Sequence, residues 1–148
     1  MSEAGLLCGL QKIAQQRVRQ KGSSSKFAVF NTSLMSAQSG KNFIQAKEDR
    51  VFRGRLVESA VGAHLLNSIR GTQIELFYWR EGDREVDFVL RQGKSITAIE
   101  VKSGQDLVNR TGIDLFCSKF KPGRVLLIGD QDITLEKFFL TPVIQFYI

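Results

Sequence analysis

Asp87, Glu100 and Lys102 are the residues of this chain whose types and spacing could do chemistry. They lie in Glu85-Val-Asp-Phe-Val-Leu90 and Ile99-Glu-Val-Lys-Ser-Gly104, which read as two neighbouring strands. Strand side chains alternate between faces, so Glu100 and Lys102 point one way while Ile99 and Val101 point the other. The same alternation groups Asp87 with Glu85 and Val89, and gives Val86, Phe88 and Leu90 the apolar side. Two carboxylates and an amine on one strand pair suit a divalent metal that activates water near a phosphate. They equally suit the solvated face of an amphipathic hairpin, where charged cross-strand pairs contribute only about 0.2–1 kcal/mol each.

The turn between the strands decides whether the acids meet. If Gln92-Gly-Lys-Ser95 forms a four-residue loop, Arg91 pairs with Ile96 and Asp87 falls opposite Glu100. A two-residue Gln92-Gly93 turn instead sets Glu85 opposite Glu100. A three-residue loop would put Asp87 and Glu100 on opposite faces and remove the site.

The elements that must hold this pair are legible around it. Phe52, Leu56, Val57, Ala60, Val61, His64, Leu65 and Ile69 trace an apolar helical face over about 50–69, with Gly71 as C-terminal cap. Three strands are predicted over 74–80, 85–90 and 96–102, joined by glycine-containing turns into an antiparallel meander. A second helix is predicted over 111–120, stopped by Pro122-Gly123, and Val125-Leu-Leu-Ile128 suits a buried strand. A short helix is expected over 135–140, then a strand-like tail after Pro142. Upstream, 26–30 reads as a short strand, 34–38 as a helix capped by Asn31-Thr-Ser33, and 39–50 as mostly loop. Leu6, Leu7, Leu10, Ile13 and Val18 have approximate helical spacing weakened by Gly5 and Gly9, and a strand is the alternative. Gly22-Ser-Ser-Ser25 is a linker or loop signal.

Composition sets the frame. The 148 residues, 43% apolar and 24% charged, suit one soluble domain with a real core. No apolar run approaches the roughly 18 residues a membrane span needs, and Met1-Ser-Glu-Ala4 does not open a signal peptide. Cys8 and Cys117 form no CxxC pair, which favours reduced thiols and a cytoplasmic setting. The net charge of +6 is compatible with a polyanionic partner, including DNA. The basic residues concentrate ahead of the carboxylates.

Helix, three strands, helix and strand is the order of the restriction-endonuclease-like α/β core, named for its PD-(D/E)xK signature. The chain resembles more closely the C-terminal module, a domain of unknown function, of bacterial and archaeal AAA-type ATPases. The residues that carry the resemblance are Gly54-Arg-Leu-Val-Glu58, Tyr78-Trp-Arg80, Glu85-Val-Asp-Phe-Val-Leu90, Ile99-Glu-Val-Lys-Ser103 and Leu126-Leu-Ile-Gly129. It covers about 24–142, expected to be the domain (24–148), and 1–23 looks like the remnant of a winged-helix region. The chain contains no G-x-x-x-x-G-K-[ST] sequence, so the ATPase region of such proteins is absent and would be a partner.

The resemblance implies a nuclease-like site acting on DNA. Asp87, Glu100 and the Val101 carbonyl would hold Mg²⁺ or Mn²⁺, Lys102 would orient water or stabilise developing charge, and Glu58 would hold a water or a second metal. Arg53, Arg55, Tyr78 and Arg80 are the candidates for DNA contact; a solvated basic face and a covered sheet edge are the plainer readings of the same residues. A catalytically inactive DNA-binding, regulatory or protein-interaction module is the alternative function. His64, the only histidine, sits on the apolar helix face without a zinc-like partner and is expected to pack.

Overall fold

In a computed structural model, residues 6–14, 25–102, 111–129 and 132–147 are described. Residues 22–24, in the expected linker, and Ser103 and Gly104, at the end of the second motif, lie outside them. So does most of the expected winged-helix remnant. The elements are β1 (Leu7–Lys12), β2 (Lys26–Val29), α1 (Ser33–Gln38), α2 (Phe43–Glu48), α3 (Arg50–Ser68), β3 (Glu75–Glu81), β4 (Arg84–Gln92), β5 (Ser95–Val101), α4 (Thr111–Phe120), β6 (Arg124–Ile128), α5 (Leu135–Leu140) and α6 (Ile144–Tyr147). The fold is mixed α/β.

The strands form one six-stranded mixed sheet in the order β2-β1-β3-β4-β5-β6. β3, β4 and β5 are the expected antiparallel meander, and β6 pairs parallel to β5 after the α4 crossover. Each hairpin turn has two residues between paired strand ends, led by Gly82 at φ 61° and Gly93 at φ 60°. Only glycine enters that region without a Cβ penalty, which is why these turns form tightly.

Three local expectations are corrected. The segment with helical spacing near the start is strand β1, which pairs antiparallel with β2 and parallel with β3 through Gln11 and Lys12. The sheet therefore runs across the expected boundary at residue 23. The stretch expected as loop contains α2, closed by a capping box between Asn42 and Gln45. The tail after Pro142 is helical, because Phe146 turns into the core with Phe138.

Both faces of the sheet are covered. α3 contributes Val61, Leu65 and Leu66 to one core, with Phe88, Leu90 and Ile99 of the sheet and Phe138, Val143 and Phe146 of the C-terminal segment. α4 contributes Ile113 and Phe116 to the other, against Phe77, Trp79, Val86, Val89 and Ala98. A meander with two buried faces reads as a continuous apolar run, which Val86 to Leu90 nearly is. The exception within that run is Asp87.

Asp87 sits where the alternation of β4 breaks. Phe77 pairs with Val89 but Trp79 pairs with Val86, so two steps along β3 match three along β4. This is a β-bulge with its extra residue in β4. It puts Val86 in the α4 core and Phe88 in the α3 core, although simple alternation assigns them one face.

Candidate metal centre

The β4–β5 register is the one that brings the acids together. Arg91 pairs with Ile96 and Phe88 with Ile99, so the register continued by one residue sets Asp87 opposite Glu100. The ladder ends there in a side-chain contact: Asp87 Oδ2 accepts a hydrogen bond from the Val101 N–H at 2.8 Å. Lys102 Nζ donates to Glu100 Oε1 at 2.8 Å. Glu100 Oε2 is buried and has no hydrogen-bond partner among the described residues.

α3 adds the helix carboxylate. Gly62 packs so closely on β4 that an added Cβ would lie 2.9 Å from the Phe88 ring. Glu58, one turn earlier on the same side of the helix, is thereby carried to the beginning of β4. Carboxylate oxygens of Glu58, Glu85 and Asp87 lie within 4.8 Å of one another. Into this cluster β2 sends Lys26, whose Nζ is 2.6 Å from both Glu58 Oε1 and Glu85 Oε1 and 5.7 Å from the Phe88 ring centroid.

The electrostatics follow from burial and proximity. Burial pushes the Asp87 carboxyl up to about 7, and the negative charges of Glu100 and Glu58 act in the same direction. Burial also raises Glu100, against the hydrogen bond and charge of Lys102. Burial works to lower Lys26, but its bonds to Glu58 and Glu85 outweigh that and hold the ammonium firmly charged. Each half has one ammonium for two acids: on the strand side Lys102 reaches Glu100 and leaves Asp87 with a backbone N–H, whereas on the helix side Lys26 bridges Glu58 and Glu85. Hard oxygen donors with one orphaned, buried oxygen suit a hard divalent cation in the first of these places.

Of the sequence candidates, Glu58, Asp87, Glu100, Val101 and Lys102 converge on this end of the sheet. Arg53 and Arg55 are exposed on the first turns of α3. Arg80 is exposed near the C-terminal end of β3, paired with Glu85 of the cluster, with Nε 3.3 Å from the Gly82 carbonyl and 3.9 Å from Glu85 Oε2. Tyr78 is a correction: it is 7% exposed and packs in the α3 core, so its ring offers no stacking surface. His64 packs edge-on against Phe138 and Phe139, as its apolar face suggests, and burial lowers its pKa.

Two members of the cluster escape the sequence reading. Glu85 shares its alternation with Asp87 and was visible as a neighbour, yet only the approach of α3 makes it a cluster member. Lys26 carries no local signal, since the contact spans 59 residues to Glu85.

No curated protein and no solved structure matches this chain. Residues 53–146, which run from the first turns of α3 into α6 and contain all four acids, match a family described as a domain of unknown function, DUF4143. The chain belongs to that family.

Proposed function

We propose that this is a restriction-endonuclease-like domain, the C-terminal part of an AAA-type ATPase, that hydrolyses DNA phosphodiesters with Mg²⁺ or Mn²⁺. The observation that carries the reading is the meeting of Asp87 and Glu100 at the end of the β4–β5 ladder, with a buried Glu100 oxygen that has no hydrogen-bond partner among the described residues. Asp87, Glu100 and the Val101 carbonyl are the residues that would hold the ion. When bound, it supplies a water of lowered pKa and stabilises charge on a phosphate oxygen. Lys102, held beside Glu100, orients the attacking water or offsets the negative charge that develops on the phosphate. Glu58 holds a water at the helix side of the cluster. Arg53, Arg55 and Arg80, all exposed, are the side chains that would meet the DNA backbone.

The purified chain is expected to cleave DNA in Mn²⁺ or Mg²⁺, with activity falling to background in Asp87→Ala and in Lys102→Ala. No cleavage of linear, branched or single-stranded DNA would sink the reading. A second reading has one observation in its favour: the Lys26 ammonium already occupies the acidic cluster between Glu58 and Glu85. On that reading the domain is an inactive DNA-binding or regulatory module of the ATPase. It predicts salt-sensitive DNA binding that survives Asp87→Ala.

A further inference from the structure

We infer that Lys26 is the resident cation of the Glu58–Glu85 half of the cluster, so that the centre accepts one divalent metal ion rather than two. The inference rests on the metal reading of Asp87 and Glu100 given above and adds what limits the number of ions.

Three observations support it. The Lys26 ammonium stands 2.6 Å from an oxygen of each acid, a bridging position that a second cation would otherwise occupy. It is fixed there from several sides: its side chain is 27% exposed, it lies over the Phe88 ring, and its strand is held by β1. The local charge count agrees as well. Four carboxylates (Glu58, Glu85, Asp87 and Glu100) face two ammonium groups (Lys26 and Lys102), leaving two negative charges, which one divalent ion neutralises. Arg80, 3.9 Å from the outer oxygen of Glu85, is 61% exposed and adds only a solvent-screened charge. Two-metal sites need acids that bridge ions about 3.5–4 Å apart. Here the bridging place between Glu58 and Glu85 is filled by an amine from the chain itself.

Counting Mn²⁺ bound to the chain by electron paramagnetic resonance and titration calorimetry tests this without reference to cleavage. The native chain is expected to bind one ion, lost in Asp87→Asn, and Lys26→Met is expected to bind two. Lys26→Arg, which keeps the charge, should stay at one. Two ions in the native chain, or one in Lys26→Met, overturns the inference while leaving the metal reading intact. Absence of Mn²⁺ from both chains overturns the metal reading itself, and the inference with it. If Lys26→Met does not fold without metal, refolding on addition of Mn²⁺ but not of NaCl reads the same exchange, and no recovery overturns it.

Discussion

The two halves of the acidic cluster solve one problem differently. On the helix side, Glu58 and Glu85 share an ammonium from β2, and their charge is met within the chain. On the strand side, Asp87 and Glu100 face each other with a backbone N–H for one and Lys102 for the other, and one buried oxygen is left over. A saturated half reads as structure. An unsaturated half, buried and costly as it stands, reads as a place prepared for something. The difference teaches that counting charges is a poor guide to a metal centre; each half has one ammonium for two acids, and what separates them is that Lys26 bridges both of its acids while Lys102 meets Glu100 alone.

The largest effect is expected where the two halves are joined mechanically. Gly112 of α4 lies so close to β4 that an added Cβ would sit 2.4 Å from the Glu85 carbonyl oxygen, a backbone atom that cannot step aside. Gly112→Ala should destabilise the fold by about 3 kcal/mol through overpacking, measured by urea denaturation. A neutral result would mean that α4 does not press on the acidic end of β4.

Lys26→Met comes next. Removing one cation from two partly buried acids should cost about 2–3 kcal/mol in metal-free buffer. The equivalent Lys102→Met change removes a single contact, to a Glu100 carboxyl whose burial lets it take up a proton in place of the lost ammonium, and should cost about 1 kcal/mol. Equal losses in the two variants would erase the contrast between the halves.

The strand side should show itself in pH. Asp87 titrates at about 7 in the fold against an ordinary 3.8, so the folded chain keeps this proton longer than the unfolded chain does. Its charging cost is absent below about pH 4, grows as pH rises, and is complete above about pH 7. Metal-free stability should therefore fall across that window from this group. Asp87→Asn, which can still accept from the Val101 N–H, should gain about 2 kcal/mol at pH 8 and nothing at pH 4. Thermal melts of both chains at the two pH values check it, and a gain at pH 4 would point to packing instead of charge. The smallest effect is expected at Arg80, where Arg80→Ala should change stability by about 0.5 kcal/mol or less because the contact is long and exposed.

How much of this was legible in the sequence depended on the range of the interaction. The meander, α3, α4 and β6 followed from local periodicity and turn glycines, while the register stayed open among three loop lengths until the Gly93-Lys94 turn decided it. That register is a short-range property, set where the chain reverses, and the meeting of Asp87 with Glu100 was one of the alternatives the turn left open. The bulge could not be foreseen, because it depends on how β3 and β4 bury two faces at once. Alternation accordingly grouped Val86 with Phe88, which the fold separates. Tyr78 is a candidate for DNA contact by residue type alone, with a covered sheet edge as the plainer reading, whereas it packs in the core beneath α3 and the C-terminal helices. The strand nature of β1 was obscured by leucines at helical spacing, and its parallel pairing with β3 is a long-range choice. Lys26 was invisible for the same reason.

The β1–β2 hairpin gives this last residue a wider meaning. All four acids and Lys102 fall inside the stretch shared with the family, 53–146, whereas Lys26, the partner of Glu58 and Glu85, lies upstream of it. Two acids and the cation that bridges them thus come from different stretches of the chain, joined only by the sheet. A substitution at this one upstream position would change the charge of the cluster without touching any of the four acids.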